Sequence, residues 1–104
     1  MYRSHNCGEL RIKHVGHEVK LSGWIHKIRD KGSLIWIDLR DRYGITQIIV
    51  DTNESSKNLV EQVKKVGREY VISVKGMVKE RESKNPNIGT GDVEITLTEI
   101  EILN

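Results

Sequence analysis

Residues 33–50, SLIWIDLRDRYGITQIIV, alternate apolar and polar side chains, and this period of two predicts paired strands that each bury one face. Successive side chains of a strand point to opposite faces of the sheet. Burial of Ile35, Ile37 and Leu39 therefore turns Trp36 to the other, polar face. A large aromatic side chain is thus predicted where a core residue would not lie.

Further segments extend this pattern, and one segment changes period. Between Thr52 and Gly67 the apolar residues recur at helical spacing, Ser55 or Ser56 can cap the start, and Gly67 suits the end. The predicted strands are 18–30, 34–40, 45–50, 69–81 and 92–102. Three strands, a helix and two strands predict an all-β fold: a five-stranded Greek-key OB-fold barrel, with the α-helix between strands 3 and 4 plugging it.

Three positions should shape this barrel locally. Gly23 lies where the first strand coils sharply or lets another backbone approach. Trp24 follows it among apolar residues of both parities, so we expect core or barrel-end packing. In the last strand the apolar phase changes after Leu97, which predicts a bulge near Thr98.

Composition limits the remaining possibilities. With 104 residues, 37% of them apolar, we expect one domain, residues 1–104. The single cysteine, Cys7, has no partner for a disulfide or a CxxC metal site, and this favours a structural role and a reducing, cytoplasmic location. The apolar runs are too short to span a bilayer, so we expect no membrane association.

Charge is unevenly distributed although the net charge is only +2. Residues 1–42 and 75–91 are rich in Lys and Arg, whereas residues 92–104 contain acids and no base. In an OB-fold the face of strands 2 and 3 and the loops joining strands 1–2 and 4–5 bind oligonucleotides or oligosaccharides. Both basic regions are predicted to meet at that face, although mixed charge can also be merely solubilising.

Trp36 on this face is suited to stacking on an unpaired base. The alternative is an exposed cation–aromatic pair with Arg40 or Lys27. The four histidines lack metal-ligand spacing, and we expect them to be surface residues without a bound metal.

Five motifs together resemble the N-terminal anticodon-binding domain of bacterial-type aspartyl-tRNA synthetases. They cover essentially the whole chain, and the block after Arg29 is more specific than a general OB-fold signature. The motifs are CGELR at 7–11, HVG at 14–16, GW at 23–24, RDKGSLIWIDLRDRYGITQ at 29–47 and TGDVEI at 90–95.

The resemblance implies a role for each matching residue. Trp36 would stack on the central anticodon base, a uracil, and Gln47 would hydrogen-bond its polar edge. Glu94 would accept hydrogen bonds from the first base, a guanine or modified guanine. The remaining implied contacts, to the third base and the neighbouring backbone, fall on Arg29, Lys31, Arg81 and Asn85. The implied partner is the anticodon stem-loop of tRNA(Asp).

No catalytic residues are predicted in this chain, because no nucleophile–base pair, glycine-rich phosphate loop or metal cluster is present in the sequence. The resemblance implies a fragment of a class II aspartate-tRNA ligase whose catalytic domain would follow Asn104. ATP and Mg²⁺ would act there, as no cofactor is expected in this fragment. The parent enzyme would be a homodimer and the isolated domain a monomer.

Three alternatives remain open at this point. The chain could be a free-standing OB module that binds single-stranded nucleic acid without sequence preference, or a structural barrel that docks a protein through Trp36. Within the resembling family, Lys31 replaces the expected Leu or His. The sequence therefore does not separate enzymes specific for tRNA(Asp) from those that also charge tRNA(Asn).

Overall fold

The computed structural model describes residues 3–104, in which five strands close into a barrel. The elements are β1 (Glu18–Asp30), β2 (Leu34–Asp41), β3 (Gly44–Asp51), α1 (Lys57–Lys64), β4 (Val71–Glu80) and β5 (Val93–Ile102), preceded by a 3-10 turn at Ile12–His14. Around the barrel the strands follow the order β1-β2-β3-β5-β4, and β4 pairs with β1. The predicted OB-fold barrel, with its helix between the third and fourth strands, is confirmed.

The core is aliphatic and lies inside the barrel. Ile35, Ile37 and Leu39 of β2 are fully or almost fully buried, as the alternation predicted, while Trp36 on the other face is only partly buried. Strands β1, β2 and β3 form an antiparallel meander, and β5 joins β3 in parallel. The outer face of β2 and β3 is therefore left open to a ligand.

Helix α1 covers the barrel with one apolar side. Leu59 and Val63 are buried in the core, and the Ser56 side chain accepts a hydrogen bond from the Leu59 amide, which confirms the predicted cap. The predicted end at Gly67 is wrong. The helix ends at Lys64 because the backbone N–H of Lys65 closes the last turn onto the carbonyls of Gln62 and Val63.

Two bulges adjust the strands. Between Lys75 and Gly76 of β4 the paired residue jumps from Glu99 to Leu97, so Thr98 is the extra residue, as predicted. A second bulge in β1, between Ile25 and Lys27, was not anticipated. The signal was present as a change of apolar phase, because Ile25 is buried and the next residue packed against the core is Ile28.

Close backbone approach explains Gly23. A Cβ atom on Gly23 would lie 2.3 Å from the carbonyl oxygen of Arg40, which confirms the predicted approach. Of the two roles predicted for Trp24, core packing is wrong, because this side chain is partly exposed, and the residue lies instead at the end of both the β1–β2 and the β1–β4 pairing. Trp24 lies where β1 changes partner and is opposite both Arg40 and Val71, so its ring remains on the outer surface.

Cys7 is completely buried and free, consistent with a structural role. Burial, and then the nearby Asp41 carboxylate, raise the pKa of its thiol well above the ordinary value.

His5, His14 and His17 form a chain of edge-to-face ring contacts. Within residues 3–104 no group of three or more His, Cys, Asp or Glu side chains could hold a metal ion, and no helix is long and apolar enough to cross a membrane.

Substitution Gly76→Ala should destabilise the barrel by about 1–3 kcal/mol, because the new methyl group would lie 2.3 Å from the Thr96 carbonyl oxygen across the β4–β5 pair. Urea unfolding measures the change. Gly67→Ala is the matched control, since its Cβ would meet only a Tyr70 ring carbon at 3.9 Å. Equal stability of the two variants would contradict the proposed steric cause.

Candidate nucleic-acid interface

A cavity of about 470 Å³ opens on the outer face of β2 and β3, beside the loop that joins β4 to β5. We call it the Trp36 cavity. Its walls include Arg29, Trp36, Gln47, Lys79, Arg81 and Glu94. Five of these six were singled out from the sequence. The two basic regions meet at this cavity, as predicted, since Arg29 comes from the first region and Lys79 and Arg81 come from the second.

Trp36 forms the aromatic wall of the cavity. In the strand register it lies between Arg29 of β1 and Ile49 of β3, and the Arg29 guanidinium carbon is 5.6 Å from the centre of its ring. A cation–aromatic pair therefore exists, but its cation is Arg29 rather than Arg40 or Lys27. The pairing orients a ring that remains partly accessible, which is what a stacking surface requires.

Gln47 and Glu94 form a buried polar pair on the floor of the cavity. Their exposed fractions are only 5% and 7%, and the Gln47 Nε2 donates to Glu94 Oε1 at 2.7 Å. On its other side, Gln47 Oε1 accepts from Arg29 Nη2 at 3.3 Å. Each group keeps spare capacity, because an amide has two N–H donors and a carboxylate oxygen accepts more than one bond. The pair thus presents fixed donors and acceptors.

Lys79 completes this network and was not selected from the sequence. Its Nζ lies 3.4 Å from Glu94 Oε2, and the two residues are directly opposite in the β4–β5 register. The signal was present in the alternation of β4, which placed Lys79 on the outer face. Finding its partner required the register of the β4–β5 pair, which places Lys79 directly opposite Glu94.

The Trp36 cavity is balanced in charge. Three cations, Arg29, Lys79 and Arg81, face three carboxylates, Asp51, Glu82 and Glu94. A phosphate, which bears only negative charge, gains little from such a surface, whereas the edge of a base presents both donors and acceptors. The charges of the cavity therefore suit the edge of a base better than a phosphate.

Two predicted contact residues lie outside the walls of this cavity. Lys31 is exposed in the β1–β2 turn, where its backbone N–H donates to the Leu34 carbonyl. Asn85 lies in the β4–β5 loop, and its side-chain oxygen accepts from the Asn87 backbone N–H. Both loops border the open face, but neither side chain joins the network of Gln47 and Glu94.

Comparison with known proteins agrees with this geometry. A family model described as an OB-fold nucleic acid binding domain matches residues 19–103. The aspartate-tRNA ligase of Flavobacterium psychrophilum is 59% identical over 104 residues, which are 100% of this chain and 18% of that protein. The chain thus spans about a fifth of the length of this relative. The resemblance to the N-terminal domain of aspartyl-tRNA synthetases is confirmed.

Solved structures show the same architecture. The asparaginyl-tRNA synthetase of Pyrococcus horikoshii matches with a TM-score of 0.81 and 30% identity, covering 96% of this chain and 23% of that one. An OBody, AM2EP06, in complex with hen egg-white lysozyme, matches with a TM-score of 0.89 and 27% identity, covering 100% and 95% of the two chains.

A double-mutant cycle of Gln47→Ala and Glu94→Ala should give a coupling free energy of about 1.5–3 kcal/mol, since a buried hydrogen bond to a charged group is removed. The matched cycle of Lys79→Ala and Glu94→Ala should give only about 0–1 kcal/mol, because the Lys79 side chain is 50% exposed. Urea unfolding supplies all the values. A larger coupling for the Lys79 pair would refute this ranking.

Proposed function

Because this chain belongs to the family of OB-fold nucleic acid binding domains, we propose that it reads the anticodon of tRNA(Asp) as the N-terminal domain of an aspartate-tRNA ligase. The observation that carries the proposal is the buried Gln47–Glu94 pair beside the Trp36 ring. A stacking surface next to fixed polar groups suits recognition of individual unpaired bases.

The mechanism is recognition by unstacking. The anticodon loop spreads its bases over the β2–β3 face, where aromatic stacking holds a base and side chains read its edge. Trp36 stacks on the uracil at the second anticodon position, and this interaction contributes about 1–3 kcal/mol. Arg29 holds the ring from the direction of β1, so part of the cost of ordering the ring is met before RNA binds.

Gln47 reads the uracil edge. Uracil presents both donor and acceptor atoms, and a glutamine amide offers both in return. The bonds from Arg29 and to Glu94 hold the amide in one orientation, so a base with the opposite donor–acceptor order is disfavoured. Buried polar groups left unpaired by a wrong base cost free energy, which is the source of discrimination.

Glu94 reads the first anticodon base, a guanine, whose edge carries N–H donors. A carboxylate on a nucleic-acid surface normally repels phosphate, so its presence needs a base contact to be useful. Lys79 offsets the negative charge of the Glu94 carboxylate through its Oε2 atom, and Gln47 donates a hydrogen bond to its Oε1 atom. In this proposal Arg81, Lys31 and Asn85 border the third base and the nearby backbone from the two loops.

The parent enzyme is proposed to attach aspartate to tRNA(Asp) as a homodimeric class II ligase, with ATP and Mg²⁺ acting in a separate catalytic domain. The residues of this chain do not fit a magnesium site, because residues 3–104 contain no cluster of three or more metal-ligating side chains. No chemical step is therefore assigned to the barrel, whose part is selection of the tRNA.

Trp36→Ala should weaken binding of an aspartate anticodon stem-loop by at least about fivefold, because stacking is worth about 1–3 kcal/mol. Fluorescence anisotropy of a labelled RNA hairpin measures the affinity, and circular dichroism checks the fold. Tyr70→Ala removes another exposed aromatic, outside the Trp36 cavity, and should leave affinity unchanged. Unchanged affinity of a folded Trp36→Ala variant would sink the proposal.

Base replacements in the hairpin should separate anticodon reading from non-specific binding of single strands. Replacing the guanine at the first anticodon position or the uracil at the second should each weaken binding about tenfold, since one mismatched base costs about 1–3 kcal/mol. Exchanging cytosine for uracil at the third position then distinguishes a domain specific for tRNA(Asp) from one that also accepts tRNA(Asn). Equal affinity for all hairpins would favour the non-specific module.

A further inference from the structure

A second cavity, of about 500 Å³, lies at the other end of the same outer face. We call it the Arg40 cavity. Its walls include Arg11, Arg40, Arg42, Tyr43, Ile88 and Thr90, and it shares no wall residue with the Trp36 cavity. Arg40 projects from β2 on the same side as Trp36 and lies four residues along the strand, or about 13 Å. A strand of RNA can cover both.

The Arg40 cavity has an excess of positive charge. It is lined by three arginines, and Asp41 is its single carboxylate. That carboxylate is already occupied: one oxygen accepts from the backbone N–H groups of Tyr43 and Gly44, and the other accepts from that of Cys7. Asp41 therefore holds the β2–β3 turn, and three arginines against this one carboxylate leave the walls with an excess of two positive charges.

The arginines themselves lack acidic partners. Among residues 3–104 none of the ion pairs involves Arg11, Arg40 or Arg42. The Arg11 guanidinium is fixed by bonds from Nη1 to the carbonyls of Gly8 and Leu10, which leaves its other donors at the cavity. Three guanidinium groups with free donors around one opening form a site for an anion.

Tyr43 forms an aromatic edge of this site. Its ring is 54% exposed, and the guanidinium carbons of Arg3 and Arg42 lie 5.4 and 5.7 Å from its centre. Stacking on an aromatic ring limits the motion of an arginine and leaves its N–H groups free to donate. Arg42 is thereby held near the opening at the tip of the β2–β3 turn.

We propose that the Arg40 cavity binds a backbone phosphate of the RNA strand whose bases occupy the Trp36 cavity. The inference rests on the proposed function and extends it. The two cavities have different roles, because the charge-balanced one reads bases whereas the positive one supplies electrostatic affinity. Arginine suits the second role because its planar fork of donors matches two phosphate oxygens.

The test compares two RNAs with the double variant Arg40→Gln/Arg42→Gln. One RNA is the aspartate anticodon stem-loop, which is long enough to reach both cavities. The other is the free trinucleotide of the same anticodon, which lacks the flanking phosphates of the loop and stem. The matched control is Lys57→Gln/Lys64→Gln, which removes the same charge from the exposed side of α1.

At about 50 mM salt the arginine variant should bind the stem-loop about eightfold more weakly for each phosphate that is no longer neutralised, and the slope of log affinity against log salt should fall by about 0.7 per phosphate. Affinity for the trinucleotide, followed by the Trp36 indole N–H resonance, should stay the same. Compared with the double glutamine variant, a protein with Arg40→Lys in place of Arg40→Gln keeps that positive charge and should recover part of the affinity for the stem-loop.

Three results would overturn the inference: undiminished affinity for the stem-loop, a decrease no greater than that of the lysine control, or an equal decrease for both RNAs. These outcomes are separable from failure of the proposed function. If Trp36→Ala weakens stem-loop binding while the arginine variant does not, anticodon reading stands and only the phosphate site fails. If the unmodified chain binds neither RNA, both fail.

Discussion

The alternation of side chains along β2 is the constraint on which both surfaces depend. Because Ile35, Ile37 and Leu39 fill the barrel, Trp36 and Arg40 have no place except the outer face. A shift of one residue in register would bury the polar set and expose the core set, so the fold and the ligand surface are specified together. Stability of the core therefore maintains the geometry of recognition.

Elements with a strong period could be predicted from the sequence, together with the residues that the period orients. The strands, whose predicted ends lie within two residues of the observed ones, the Ser56 cap, the close approach at Gly23 and the bulge at Thr98 all produce local signals, such as a change of phase or a capping hydroxyl. The cavity brings together Trp36, Gln47 and Glu94, because each of these side chains faces outward from its strand and the three strands are neighbours in an OB-fold. Their roles were implied by resemblance rather than by spacing.

The remaining features depend on contacts between distant segments. The sequence predicted core or barrel-end packing for Trp24 because its neighbours are apolar, but β1 changes partner at this residue and core packing is not observed. Gly67 suggested the end of α1, although hydrogen bonds at Lys65 end it earlier. The link between Lys79 and Glu94 and the grouping of Arg11 with Arg40 need the closed barrel, because no local pattern joins residues so far apart in the chain.

The parallel pairing of β3 with β5 closes the barrel, and its register comprises Ile48 with Ile95 and Ile49 with Thr96. The bond from Gln47 to Glu94 crosses this same seam and joins side chains of the two strands. The two residues proposed to read bases therefore also hold the two strands together. A base that contacts both residues, as proposed, would add a connection across this seam from outside, so ligand binding and closure of the barrel would be thermodynamically linked.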